Sequence, residues 1–204
     1  MLPIARFLRG GRSQTQIGTR LMNVPNALSL FRIGLIPCYV ALFYFPARWA
    51  HMAAAVVFGI AAFTDWLDGY LARRLHQSSK LGAFLDPVAD KLLVTVVLIL
   101  LLQRNPQIWL ALPIAVVIGR EITISALREW MAELGARQRV AVSFVGKLKT
   151  TCQMVAIILL TIETAGEDWP IYELGVLALY VATIATLWSG YRYMAAAWPE
   201  LRQH

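Results

Sequence analysis

Long apolar runs, separated by short polar or proline-containing breaks, divide the sequence into six segments. A helix that spans a bilayer needs about 20 mostly apolar residues, and runs of about that length occupy residues 26–46, 49–72, 83–102, 108–127, 140–162 and 171–192. The runs are continuous rather than alternating, which disfavours a β-barrel. The pattern predicts an all-α, polytopic membrane protein with six transmembrane helices.

The composition agrees with a membrane protein. Hydrophobic residues make up 58% and charged residues 15% of the chain, whereas soluble domains carry about 45–50% and about 25%. The net charge of +7 would suggest nucleic acid in a soluble protein, but here it indicates basic loops that face anionic lipid, with no nucleic-acid partner. The two cysteines form no CxxC pair and the three histidines are scattered, which excludes a disulfide scaffold and disfavours zinc.

The basic residues predict the topology. If the N-terminus is cytoplasmic, twelve of the 19 basic residues fall on the cytoplasmic side, two on the opposite side and five within spans. Basic loops remain cytoplasmic, so both termini are predicted to lie inside. Residues 1–22 mix arginines with apolar residues and are either a juxtamembrane segment on the cytoplasmic leaflet or a mobile basic tail. Residues 23–204 form the predicted six-helix domain.

Four of the twelve acidic residues lie within 26 positions, at the cytoplasmic ends of the second and third spans: Asp65, Asp68, Asp86 and Asp90. A single charged group in the bilayer centre costs roughly 2.5–3.5 kcal/mol, so cations must compensate this cluster. Spacings of three and four residues place each pair on one helical face, and the connection between the spans is short. Convergent carboxylates of this kind suit one or two hard divalent cations, Mg²⁺ or Mn²⁺.

Residues beside the aspartates fit a phosphate-containing ligand. Gly69 and Gly82 permit close approach of a ligand or backbone, and Arg73 supplies a cation for phosphate. Two other interpretations stay open at this point. One is a buried ion-pair network, in which Asp90 and Lys91 serve only helix association, and the other is a cation-transport path through the same carboxylates.

These positions make up one continuous motif, Asp65-x2-Asp68-Gly69-x2-Ala72-Arg73-x8-Gly82-x3-Asp86-x3-Asp90. It resembles the complete signature of the CDP-alcohol phosphotransferase family. The resemblance implies a six-span fold, a homodimer in the cytoplasmic membrane of a bacterium, and transfer of a phosphatidyl group from CDP-diacylglycerol to an alcohol with release of CMP.

The resemblance also implies a role for each residue of the motif. Asp65, Asp68 and Asp86 would hold the metal, and Asp90 would share a second ion and accept the proton of the attacking hydroxyl. Gly69, Ala72 and Gly82 would leave space for cytidine and ribose, while Arg73 would meet the phosphates. Val24-Pro25-Asn26 and Arg32 resemble one branch of the family, the phosphatidylglycerophosphate synthases, and place Asn26 and Arg32 at the donor. Arg32 would pair with the acidic cluster or contact the donor phosphates.

The same branch is indicated by three further segments: Arg120-Glu121-Ile122, Ser125-Ala126-Leu127-Arg128-Glu129 and Gly146-Lys147-x-Lys149-Thr150. A phosphorylated acceptor such as glycerol 3-phosphate needs several desolvated cations, whereas inositol or choline does not. Arg120, Arg128, Lys147 and Lys149 are therefore the candidate acceptor-phosphate site.

Alternatives remain for these basic residues and for the acceptor. Lys147 and Lys149 would otherwise snorkel to the headgroups, and Arg120 would pair with Glu121. A cardiolipin synthase of the same fold would use phosphatidylglycerol as acceptor, and a divalent-cation transporter would use the aspartates without any transfer chemistry.

Overall fold

The structure is a computed structural model that describes residues 24–75, 80–133, 144–163 and 169–201. Side chains are described for residues 27–67, 70, 85, 87–131, 149–163 and 170–198. All regular structure in these ranges is helical: α1 (Val24–Tyr44), α2 (Arg48–Leu75), α3 (Lys80–Arg104), α4 (Ile108–Glu133), α5 (Phe144–Ile162) and α6 (Trp169–Leu201). The predicted juxtamembrane segment, residues 1–22, lies outside the described residues.

The helices follow the six apolar runs of the sequence, but two of them continue clearly beyond the predicted ends. Helix α4 runs to Glu133, six residues past the predicted end at residue 127, and α6 differs more. The predicted sixth segment ends at residue 192, but α6 continues to Leu201. The extension holds Met194 followed by three consecutive alanines at 195–197, and alanine is the strongest helix former. Arg192 therefore marks a change in polarity and does not end the helix.

Within the described residues, four helices are long and apolar enough to cross a membrane. The candidate spans are Ala27–Tyr44, Arg48–Leu67, Ile108–Met131 and Pro170–Trp198. In the described part of α5, the apolar segment Lys149–Ile162 is shorter, and the described part of α3 carries Asp90, Lys91 and Arg104. The all-α membrane class is confirmed, whereas the count of six spans stays a prediction.

Two apolar clusters of described residues hold the helices together. The larger one joins α1, α2, α3, α4, α5 and α6, and its fully buried members include Tyr39, Phe58, Leu98, Ile157 and Leu179. Helix α1 packs on both α2 and α3, and α5 packs on both α2 and α6.

The smaller cluster joins α4 to α6 beyond the main core, through Ile124, Leu127 and Met131 on α4 and Tyr193 and Ala197 on α6. This cluster determines which side of the last third of α4 packs against α6. Ile124 and Tyr193 of this cluster also line a cavity, which is described below.

Gly175 on α6 lies against α5 with no space for a side chain. A Cβ atom there would lie 2.9 Å from Cγ of Leu160 and 3.3 Å from Cβ of Leu159. Leu160 is itself buried, so it has little room to move. Gly175→Ala is expected to lower the free energy of unfolding by about 1–3 kcal/mol, measured as a lower Tm in detergent.

Gly59→Ala is the matched control, because no described atom other than those of its chain neighbours and its own helix backbone lies within 4 Å of the Cβ position at Gly59. The alanine there should leave the Tm unchanged or raise it slightly, since alanine favours the helix. If Gly175→Ala melts at the temperature of the wild type, the close α5–α6 contact is wrong.

Candidate active site

Arg32 on α1 pairs with Asp65 on α2. The guanidinium Nη1 donates a hydrogen bond to Oδ1 of Asp65 at 2.6 Å, and the Arg32 side chain is completely buried. A charge this deep requires an anionic partner. Of the two predicted alternatives for Arg32, the structure shows the pairing with the acidic cluster.

Asp90 on α3 lies between two sets of charges. Its carboxylate is within electrostatic range of Asp65 and Arg32, which belong to the first two helices, and of Glu121 and Lys149, which belong to α4 and α5. Two carboxylates that approach each other inside a helical bundle repel unless cations compensate them. Asp90 is therefore the point where the acidic cluster meets the basic residues of the second half of the chain.

For the other two aspartates, Asp68 and Asp86, only the position along the helix is described. Asp68 follows Asp65 by three residues on α2, and Asp86 precedes Asp90 by four residues on α3, so each pair shares one helical face. The side chains of these two lie outside the described residues, as do those of Asn26, Ala72, Arg73 and Lys147, and the surroundings of Gly69 and Gly82 are not described either. Among the described side chains no group of three or more metal ligands forms, and the four-aspartate centre stays a prediction.

A cavity of about 280 Å³ opens beside Asp90, between α3, α4, α5 and α6. Its described charged lining residues are Asp90, Lys91, Arg120, Glu121, Arg128 and Lys149. Three of the four predicted acceptor-site cations, Arg120, Arg128 and Lys149, are thus brought together on one cavity with the predicted base. The fourth, Lys147, is not described.

Glu121 holds two of these cations. Nη1 of Arg120 lies 3.4 Å from Oε1 of Glu121, and Nζ of Lys149 donates a hydrogen bond to the same oxygen. The side chains of Arg120 and Lys149 are only 13% and 7% exposed. Lys149 therefore does not snorkel towards headgroups, and the predicted alternative of an Arg120–Glu121 pair is present alongside the convergence of the cations.

Sequence reasoning missed the contribution of α6. Nη2 of Arg120 donates a hydrogen bond to Oγ of Ser189 at 2.6 Å, and Nη2 of Arg128 donates one to the hydroxyl oxygen of Tyr193 at 2.6 Å. The Arg128 guanidinium also lies 5.0 Å from the centre of the Tyr193 ring, within the range of a cation–π contact. The only sequence signal was two polar side chains four residues apart in an apolar helix.

Removing the shared carboxylate should expose its structural contribution. Glu121→Gln leaves Lys149 and Arg120 in a largely buried place without their anion, so we expect the free energy of unfolding to fall by about 1–3 kcal/mol. Inorganic phosphate should then raise the Tm of this variant more than that of the wild type, because an anion bound to the folded protein stabilises it.

Glu129→Gln is the control for this experiment, since Glu129 is an exposed carboxylate on the same helix. It should leave both the Tm and the response to phosphate unchanged. A Glu121→Gln variant that is as stable as the wild type would show that Glu121 does not hold the two cations.

Comparison with known proteins gives the family. The family model described as CDP-alcohol phosphatidyltransferase matches residues 22–188. Three bacterial relatives are each named CDP-diacylglycerol--glycerol-3-phosphate 3-phosphatidyltransferase. The one from Pseudomonas fluorescens is 54% identical over 89% of this chain and 93% of its own length. The one from Sodalis glossinidius is 49% identical over 90% and 99%, and the one from Escherichia coli K12 is 51% identical over 88% and 97%.

The match extends over most of the described helices and includes every residue of the aspartate motif. It confirms the resemblance that this motif and the basic segments indicated. The chain belongs to the CDP-alcohol phosphatidyltransferase family.

Proposed function

We propose that this chain transfers the phosphatidyl group of CDP-diacylglycerol to glycerol 3-phosphate, giving phosphatidylglycerophosphate and CMP. The observation that carries the proposal is the position of Asp90 on the wall of a small cavity rich in cations. The names of the relatives, which specify this donor and this acceptor, support it.

The charge of the cavity favours a phosphorylated acceptor. Its described charged lining residues are four cations and two carboxylates, an excess of two positive charges. A phosphate monoester carries about −1.5 to −2 at neutral pH and matches this excess, whereas a neutral polyol leaves it uncompensated. Arginine and lysine also donate charge-assisted hydrogen bonds that suit phosphate oxygens.

The size of the cavity suits a small acceptor or the headgroup of a lipid acceptor. Its volume of about 280 Å³ lies at the lower end of ligand pockets, which hold drug-sized molecules in about 300–1,000 Å³. Phosphatidylglycerol, the acceptor of a CDP-alcohol-type cardiolipin synthase, would bring one negative charge and two acyl chains. Because those chains would stay in the bilayer, the charge decides, and glycerol 3-phosphate matches the excess of two positive charges better.

The donor would be held by the acidic cluster and its neighbours. Members of the family use divalent metal ions, and the carboxylate donors Asp65, Asp68, Asp86 and Asp90 suit Mg²⁺ or Mn²⁺. The electrostatic proximity of Asp65 and Asp90 fits such a group, with two ions proposed. When bound, it would stabilise negative charge on the phosphates of the donor.

Around the nucleotide, other residues would bind and orient the donor. Arg73 would contact the negatively charged phosphates of the donor. Arg32 would act on the same region indirectly, because it pairs with Asp65, one of the proposed metal ligands. Gly69, Ala72 and Gly82 would leave space for cytidine and ribose, and Asn26 would contact the same ligand.

The reaction itself needs a base and an oriented nucleophile. Arg120, Arg128, Lys147 and Lys149 would hold the phosphate of the acceptor, so that one of its two free hydroxyls faces Asp90 on the wall of the same cavity. Asp90 would take the hydroxyl proton as the oxygen bonds to the phosphatidyl phosphorus. The bond from that phosphorus to the CMP oxygen breaks, and CMP leaves. Fixing both reactants in one site replaces a bimolecular encounter and lowers the barrier.

The proposed setting is the cytoplasmic membrane of a bacterium. We place six spans in it, with both termini and the active site at the cytoplasmic leaflet, because twelve basic residues lie on that side and two on the other. Residues 1–22 would lie along the same leaflet as a basic segment preceding the six-helix domain, residues 23–204. A homodimer stays a prediction from the family.

The proposal is tested with purified protein, CDP-diacylglycerol and Mg²⁺ or Mn²⁺. We expect CMP release with glycerol 3-phosphate and none above background with phosphatidylglycerol. The opposite preference would make the protein a cardiolipin synthase. Divalent-metal flux into liposomes without CMP release under any condition would make it a transporter.

A further inference from the structure

One face of α6 is buried, and it includes the polar side chains of Ser189 and Tyr193. Ser189 and Tyr193, four residues apart, are 5% and 8% exposed, whereas Tyr191 between them is 70% exposed. Residues four apart share one face of a helix, so this face looks inward while the rest of the helix end looks outward. Both residues line the cavity beside Asp90.

Each of the two polar residues accepts a hydrogen bond from one arginine of α4. Nη2 of Arg120 donates to the Ser189 hydroxyl, and Nη2 of Arg128 donates to the Tyr193 hydroxyl, in both cases at 2.6 Å. Nε of Arg128 is also 3.2 Å from the Tyr193 hydroxyl oxygen. The two contacts use the same type of guanidinium nitrogen and leave other donors of both arginines available.

The contacts bring the two guanidinium groups towards each other. Arg120 and Arg128 are eight residues apart on α4, which corresponds to about 12 Å along the helix axis, whereas Ser189 and Tyr193 are separated by about 6 Å along α6. The arginine side chains therefore converge on a shorter segment of the neighbouring helix, and this segment faces the cavity.

Arg120 retains a donor for a ligand. Its Nε is buried and has no hydrogen-bond partner among the described residues. A buried N–H without a partner is costly, and an anion in the adjacent cavity would satisfy it. Arg120 lines the cavity, and this N–H without a partner is a second observation that points to a ligand at Arg120.

We propose that Ser189 and Tyr193 are positioning residues of the acceptor site, which hold Arg120 and Arg128 in place to receive the phosphate dianion of the acceptor. The inference rests on the proposed function and extends its site to α6. Arginine side chains lose considerable rotamer freedom when they bind a ligand. Hydrogen bonds that already fix them reduce this loss, which is the basis of preorganisation.

The test uses Ser189→Ala and Tyr193→Phe, which remove one hydroxyl each, and the second keeps the aromatic ring. The KM for glycerol 3-phosphate should rise about 3- to 10-fold in each variant, as expected for loss of a hydrogen bond to a charged group. The kcat and the KM for CDP-diacylglycerol should stay within about two-fold of wild type. Ser189→Thr, which keeps a hydroxyl, should restore the low KM.

Tyr191→Phe is the matched control, because it removes a hydroxyl from the exposed face of the same helix. It should change neither KM. Equal increases in both KM values, or no increase for glycerol 3-phosphate, would overturn the inference.

The activity of the wild type distinguishes failure of this inference from failure of the proposed function. If the wild type releases CMP with glycerol 3-phosphate and the two variants behave like it, only the role of α6 is wrong. If the wild type does not use glycerol 3-phosphate, the proposed function fails, and the positioning role fails with it.

Discussion

Asp90→Asn is expected to bind CDP-diacylglycerol but to release CMP at least ~10²-fold more slowly than the wild type, the usual loss when a general base is removed. The amide has nearly the shape of the carboxylate but cannot accept the hydroxyl proton. The effect should be large because Asp90 lies where the acidic cluster meets the cavity. Donor binding is measured with labelled CDP-diacylglycerol, and turnover is measured as CMP release at saturating glycerol 3-phosphate.

Glu173→Gln is the control for loss of a carboxylate, since Glu173 is exposed near the start of α6 and is not among the described residues that line the cavity beside Asp90. Its turnover should equal that of the wild type. Near-normal turnover of Asp90→Asn would remove Asp90 from the role of base. Loss of donor binding together with turnover would assign it to the donor site instead.

Arg120→Ala should raise the KM for glycerol 3-phosphate about 30-fold or more, while the KM for CDP-diacylglycerol changes less than about three-fold. Loss of one partner from a buried, hydrogen-bonded charge interaction costs about 2–5 kcal/mol, and the Arg120 side chain is 13% exposed. Arg120→Lys should lie between the two, because lysine keeps the charge but loses the planar set of donors. The same direction is expected for Lys147→Ala.

Arg192→Ala is the matched control, because Arg192 is exposed on α6 and is not among the described lining residues of the cavity. Neither KM should change in this variant. A common rise of both KM values in Arg120→Ala would show that Arg120 supports the structure of the helices and does not select the acceptor.

The apolar runs were sufficient to predict the helices, because a segment that must bury its backbone polar groups in lipid has little choice other than helix. The end of α6 was not predictable in this way. Arg192 resembles an end signal, but the alanine-rich segment after it has high helix propensity, and the local preference extends the helix to Leu201.

The basic residues of the acceptor site were visible in the sequence, but the contacts that hold them were not. The pairing of Arg120 with Glu121 is between neighbours and could be anticipated. The pairing of Lys149 with the same carboxylate joins residues 28 positions apart and depends on how α4 and α5 pack. Charge alone does not specify which of several cations a carboxylate will meet.

Hydroxyl groups on α6 illustrate the same limit. The Thr183 hydroxyl donates to the backbone oxygen of Leu179, one turn earlier in its own helix, which is a common use of threonine in helices. The Ser189 hydroxyl instead accepts a hydrogen bond from Arg120 on α4. Both are single polar residues in an apolar helix, and only the packing of α4 on α6 distinguishes them.

A comparison of glycerol 3-phosphate with glycerol tests the proposed reaction most directly, because the two acceptors differ only in the phosphate that Arg120, Arg128 and Lys149 are proposed to bind. The purified protein, given CDP-diacylglycerol and Mg²⁺ or Mn²⁺, should form CMP and phosphatidylglycerophosphate in equal amounts with glycerol 3-phosphate, and should form almost no CMP with glycerol. Equal rates with the two acceptors, or no CMP with either, would contradict the proposed function.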